Sequence, residues 1–134
     1  MIHKHYTFSA LVRNPLLEQA IATTDMLHSD INEQHTEMLK NFLKVLATDI
    51  LDMKIVAGPV GAFVYDDGNV GPTAAVCIST SHLACHIWSE EKPARVELDV
   101  YSCKDFNVAD VLRHLDDNMD VLKVRITKID RSNI

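Results

Sequence analysis

Ile78 to Glu91 reads ISTSHLACHIWSEE, a run that looks like a buried strand yet carries nucleophiles and proton carriers among its apolar residues. Ser81 can attack a carbonyl once its hydroxyl loses a proton. His82 and His86 can carry that proton, and Cys85 and the later Cys103 are thiols. A strand that only packs is built from residues such as Val, Ile and Leu. Period-two alternation over Ser81 to Trp88 puts His82, Ala84, His86 and Trp88 on one face, with Ser81, Leu83 and Cys85 on the other. Three chemistries use such residues. His82, His86 and Cys103 could bind a metal, but CxxC spacing is missing and no carboxylate stands at a telling position, so no metal site is expected. A serine or cysteine with a histidine could hydrolyse a bond, but there is no GxSxG elbow. Third, the serine could be consumed to build a cofactor from the chain itself.

Elements must hold these residues. HYTFSALV (His5 to Val12) reads as a first strand, closed by Asn14-Pro15. Leu16 to Leu27 reads as a short helix. Asp30 followed by Glu33 has the capping-box pattern of a longer helix, with Met38, Leu39, Phe42, Leu43, Leu46, Ile50 and Leu51 spaced to form one stripe. KIVAG and GAFVYDDGNVG read as strands, with Asp67-Gly68 as the tight turn. TAAVCIST runs directly into SHLACHIW, which requires a bend at Ser79 to Ser81. ARVELDVYSC alternates, with Val96, Leu98 and Val100 on one face. Asn107 caps a last helix with the stripe Val108, Val111, Leu112, Leu115 and Met119. VLKVRITKI closes the chain as a strand. The order β-α-β-β-β-β-α-β predicts an α+β fold, a mainly antiparallel sheet with helices on one face, in a single domain over residues 1–134.

Composition narrows the function classes. The 134 residues are 47% hydrophobic, enough for one core. Lys+Arg 13 against Asp+Glu 19 gives a net charge of −6 with no basic cluster, which disfavours nucleic acid. The apolar runs are too short to span a bilayer, and MIHKHYTFSALVRNP lacks the apolar core of a signal peptide. The expectation is a soluble cytoplasmic protein with no nucleic-acid or membrane partner. Cys77, Cys85 and Cys103, taken alone, read as buried thiols packing as small hydrophobes. Trp88 reads as packing, and His82 as a core histidine without a role. The histidines at positions 3, 5, 28, 35 and 114 read as surface or core residues.

SHLACHIW, followed by Glu90 and then by VELDVYSC, resembles the small bacterial and archaeal S-adenosylmethionine decarboxylases. Their pattern is Ser-His-Leu/Ile, two variable residues and His-x-Trp-x-Glu. A strand ending in an aromatic, a small hydroxyl residue and Cys follows. Here those positions are Ser81, His82, Leu83, His86, Trp88, Glu90, Tyr101, Ser102 and Cys103, and the resemblance runs from Thr73 to Cys103. Thr80 stands where the family usually has Glu. The SEEKPAR loop is longer than usual, and Ser9 or a neighbour stands where the family's first strand carries an acid.

The resemblance implies a proenzyme that cuts itself between Thr80 and Ser81, giving residues 1–80 and 81–134 and turning Ser81 into a pyruvoyl group. His86 and Thr73 would assist processing. Cys103 would be the catalytic acid that returns a proton after carbon dioxide leaves, and Glu90 would grip the ribose hydroxyls. The pyruvoyl carbonyl, in a Schiff base with the substrate amine, is the electron sink that decarboxylation needs and that no ordinary side chain provides. A thiol suits the return of the proton because its ordinary pKa lies near neutrality. The implied fold is the family's sandwich, sheets face to face with helices outside, in a homodimer. The implied function is pyruvoyl-dependent decarboxylation of S-adenosylmethionine for spermidine synthesis. Two alternatives stay open. One is a pyruvoyl-dependent ornithine or arginine decarboxylase, told apart by whether Phe8 or Phe63 faces Ser81 to stack on adenine. The other is an unprocessed relative that binds or acts on an adenosyl ligand without a pyruvoyl group.

Overall fold

Alternation and turn chemistry decide most of the architecture. The computed structural model describes residues 2–18, 20 and 30–131. Its strands are β1 (Lys4–Val12), β2 (Ile55–Asp66), β3 (Asn69–Ile78), β4 (Ser81–Trp88), β5 (Ala94–Ser102) and β6 (Val121–Lys128). Its helices are α1 (Ile31–Val45), prolonged by a π-helical turn over Leu46–Ile50, and α2 (Val108–Met119). The strands form one sheet in the order β2-β3-β4-β5-β1-β6. Every neighbouring pair is antiparallel. β2 to β5 are a meander, and β1 lies between β5 and β6.

One face of the sheet is apolar because alternate residues are. Phe8, Ala10 and Val12 of β1, Leu83, Cys85 and Ile87 of β4, and Val96, Leu98 and Val100 of β5 are all buried. The predicted face of β5 is the observed one. α1 starts at Asp30, whose carboxylate accepts the Asn32 N–H at 2.9 Å. It lays Leu39, Phe42 and Leu43 into that core. Asn107 caps α2 by accepting the Ala109 N–H at 2.9 Å, and Val111, Leu115 and Met119 join the same cluster. Each fully buried Leu or Phe contributes about 1.5–3 kcal/mol.

Four details differ from the expectations. KIVAG and GAFVYDD belong to one strand, β2, with register shifts between Ile55 and Val60. Pro59 cannot donate to the ladder, and a bulged strand at the sheet edge accommodates it. The wider π turn rotates the helical stripe after Val45, so Leu46 and Ala47 are buried while Ile50 is exposed. Cys77 is exposed rather than packed, whereas Cys85 is buried and its thiol is pushed up by burial. Phe8 is wholly buried in the core and Phe63 lies against His35 of α1. Neither can present its ring beside Ser81. The short helix expected at Leu16 to Leu27 falls largely outside the described residues, as does His28.

Among the described residues, no helix covers the other face. The strand register aligns three rows on it. Cys77, His82, Tyr101 and His5 form one, Ala75, Ala84, Asp99 and Thr7 the next, and Thr73, His86, Glu97 and Ser9 the third.

Candidate active site

The expected bend is a two-residue turn, Ser79-Thr80, closed by the Ile78–Ser81 pair of β3 and β4. Its far side is β5, where Ser81 pairs with Ser102. Several bonds fix the turn. The Ser79 N–H donates to the Lys54 carbonyl at 2.9 Å, and the Cys103 N–H donates to the Thr80 carbonyl at 2.9 Å. The Thr80 and Ser102 hydroxyls are 2.9 Å apart, and the fully buried Ser102 hydroxyl also accepts the Lys104 N–H. Ser81 itself has a φ of +149°. That region is almost reserved for glycine and costs a residue with a Cβ about 1–3 kcal/mol, so it persists only where the surroundings over-determine it.

A polar chain leads away from Ser81 over the open face. The Ser81 hydroxyl lies 3.2 Å from His82 Nδ1. His82 Nε2 lies 3.2 Å from Asp99 Oδ2, and His5 Nε2 reaches Asp99 Oδ1 at 2.5 Å. A carboxylate only accepts, so both Nε2 atoms carry a proton, and in the neutral ring His82 Nδ1 has its lone pair toward Ser81. Tyr101 stacks on His82 and meets His5 edge-on. These partners were not legible as a group. Alternation places His5, His82 and Asp99 opposite the apolar faces of their strands, but only the strand register brings them together. His82, expected to be a core histidine, is half-exposed and hydrogen-bonded to Ser81.

The second set of expected residues lies at the other end of β4. Thr73 and His86 are cross-strand partners, and the Thr73 hydroxyl donates to the Cys85 carbonyl at 3.4 Å. The His86 ring meets Trp88 edge-on at 4.3 Å, and the Arg95 guanidinium sits over Trp88. His86 Nε2 is buried without a hydrogen-bond partner among the described residues, and burial holds the ring's pKa below the ordinary histidine value. Glu90 is exposed in the turn after β4. Ser81 and His86 are five residues apart on one strand, which is about 16 Å. One chain therefore gathers Thr80, Ser81 and Cys103 at one end, with Thr73, His86 and Glu90 at the other. Among the described residues, no group of three or more His, Cys, Asp or Glu side chains is placed to hold a metal ion.

A family model described as S-adenosylmethionine decarboxylase matches residues 23–132. The S-adenosylmethionine decarboxylase proenzyme of Clostridium botulinum strain Hall is 35% identical over 102 residues, covering 75% of this chain and 82% of that protein. The proenzyme of strain Loch Maree is 32% identical over the same length. The fold is similar to that of the adenosylmethionine decarboxylase from Aquifex aeolicus, with a TM-score of 0.65 and 14% identity over 97% of this chain and 90% of that one. The family match spans most of the chain and includes the turn, both strands that flank it and Cys103: the chain belongs to the S-adenosylmethionine decarboxylase family.

Proposed function

We propose that the chain decarboxylates S-adenosylmethionine with a pyruvoyl group made from its own Ser81, by self-cleavage after Thr80, and so supplies spermidine synthesis in the cytoplasm. The observation that carries this reading is the backbone at Ser81. A serine held at a φ of +149° directly follows a carbonyl already polarised by the Cys103 N–H. These residues fit a serine-derived group, since breaking the Thr80–Ser81 bond relieves the strain. Once formed, the pyruvoyl group supplies the electron sink for loss of carbon dioxide. Cys103, next to the turn through its backbone, would hold a proton at Sγ and return it.

The remaining roles require a second copy. His86 on β4 and its cross-strand partner Thr73 on β3 lie too far from the turn to reach Ser81 of their own chain, yet the buried nitrogen of His86 has no partner among the described residues. A homodimer formed through the open sheet faces, with strands running in opposite senses, would bring Thr73, His86 and Glu90 of one copy to Ser81 and Cys103 of the other. It would also create the face-to-face sheets implied by the resemblance. In this arrangement His86 and Thr73 assist self-cleavage, and Glu90 accepts hydrogen bonds from the ribose.

Intact-mass measurement of the purified protein tests the reading. Two pieces, residues 1–80 and 81–134, are expected, the second without a free α-amine, and S-adenosylmethionine should release carbon dioxide only with cleaved protein. Ser81→Ala should remain one chain. A wild-type chain that stays intact on long incubation overturns the pyruvoyl mechanism. Cleaved protein that acts on ornithine or arginine but not on S-adenosylmethionine moves the substrate to an amino acid.

A further inference from the structure

We infer that His82, aligned by Asp99, is the base that starts self-cleavage by taking the proton of the Ser81 hydroxyl. The inference rests on the self-cleavage reading and assigns its first step to groups of the same chain. Ser81 Oγ is 3.2 Å from His82 Nδ1, and the lone pair is there because Asp99 accepts the proton-bearing Nε2 at 3.2 Å. The hydroxyl, the imidazole and the carboxylate thus stand in line, each touching the next. Asp99 is itself held by His5 Nε2 on its other oxygen. Arg131, which can only donate, lies 3.5 Å from His5 Nδ1 and fixes that ring in the same tautomer.

The step balances within the chain. His82 Nδ1 takes the hydroxyl proton, and Ser81 Oγ bonds to the Thr80 carbonyl carbon. The carbonyl electron pair moves onto its oxygen, where the Cys103 N–H already donates at 2.9 Å. On collapse the carbon–nitrogen bond breaks, and the proton on His82 passes to the departing Ser81 nitrogen. An ester replaces the amide, and no oxidant, reductant or water is consumed. Asp99 stabilises the imidazolium that forms on the way, which makes it a positioning residue rather than a catalytic one. The groups facing His82 are Asp99 and Tyr101 on β5, His5 on β1 and Cys77 on β3. Asp99 is the anion among them within hydrogen-bond reach.

Time courses of cleavage, followed by intact mass with and without hydroxylamine, test the inference. Hydroxylamine cuts an ester and leaves an amide. Wild-type protein should cleave and pass through a hydroxylamine-sensitive species. His82→Ala and His82→Asn should slow ester formation about 10²–10⁴-fold, with little hydroxylamine-sensitive material, and added imidazole should restore cleavage to His82→Ala. Circular dichroism and melting checks that the variants fold, and the Asn variant keeps a polar side chain beside Ser81. Asp99→Asn should lower the plateau of the pH–rate profile and move its midpoint to lower pH, because the imidazolium loses its counter-ion. Wild-type cleavage matched by a folded His82→Ala overturns the inference while leaving the self-cleavage reading intact. A wild-type chain that never cleaves overturns both.

Discussion

Cys103 enters the proposed reaction through two different atoms, and the two can be separated. Its backbone N–H holds the Thr80 carbonyl at 2.9 Å, a contact that any side-chain replacement except proline preserves. Its thiol is half-buried at the end of β5 and acts, in the proposed reaction, only after carbon dioxide has left. Cys103→Ala should therefore still self-cleave, and its turnover of S-adenosylmethionine should fall about 10²–10⁴-fold, the usual contribution of a positioned general acid. Equal turnover by cleaved Cys103→Ala and cleaved wild type would remove the thiol from the reaction. Glu90 makes a different demand. Glu90→Gln keeps the shape and loses the charge that, in the proposed site, would strengthen bonds from ribose hydroxyls, so S-adenosylmethionine should bind about ten- to a hundredfold more weakly. Ornithine and arginine, which lack a ribose, should be unaffected. Calorimetric titration in a Ser81→Ala background reads both. At the same scale, Ser9 or a neighbour stands where the resemblance leads one to expect an acid on the first strand, and Ser9 has a carboxylate beside it. The Ser9 hydroxyl donates to Glu97 of β5 at 2.7 Å, so a neighbouring strand provides a carboxylate in that row.

Two buried histidines tie the elements to pH. His35 of α1 bonds the Pro15 carbonyl at 2.6 Å, and His114 of α2 bonds the Phe42 carbonyl at 3.0 Å. Burial holds both rings below the ordinary histidine value of 6.5. The unfolded chain thus takes up protons at a higher pH than the folded one. Stability should be full above about pH 6.5 and fall as the pH drops below that value toward the lowered folded pKa. Urea denaturation between pH 8 and 5 should show this acid limb, flattened in a folded His35→Gln/His114→Gln double variant. An unchanged limb there would exclude these histidines as its source. The elements themselves were legible because caps and alternation are local. Asp30, Asn107, Asp67-Gly68 and the stripe Val96, Leu98 and Val100 each depend on residues a few positions apart. Two features were not legible. The π turn at Leu46 to Ile50 changes the helical period midway, and β2 runs through Gly58-Pro59 as one bulged strand. The polar chain from Ser81 to His5 was hidden for another reason. It joins β4, β5 and β1, and register between strands distant in sequence is set by tertiary packing.

At the scale of the whole molecule, the residues assigned to processing can meet only if two copies share their sites. Along β4, Ser81 and His86 are separated by about 16 Å, and no rotamer closes that gap. The motif SHLACHIW shows both residues as neighbours in sequence and so conceals the separation. Each copy in the proposed dimer offers Ser81 to its partner's His86 while its own His86 serves the other site. The arrangement makes a test by mixing. A chain carrying His86→Ala keeps its scissile bond but lacks the group its partner needs; a chain carrying Ser81→Ala keeps His86 but has nothing to cut. Alone, Ser81→Ala should stay intact and His86→Ala should cleave about 10²–10⁴-fold more slowly than wild type. Co-expressed, with a tag to separate mixed dimers, the His86→Ala chain should be cut at a rate near wild type, at one site per mixed dimer, while the Ser81→Ala chain remains whole. Mass spectrometry distinguishes the two chains directly. If purified mixed dimers cleave no faster than His86→Ala alone, His86 does not act across the interface, and the open faces of the sheets do not complete each other's sites.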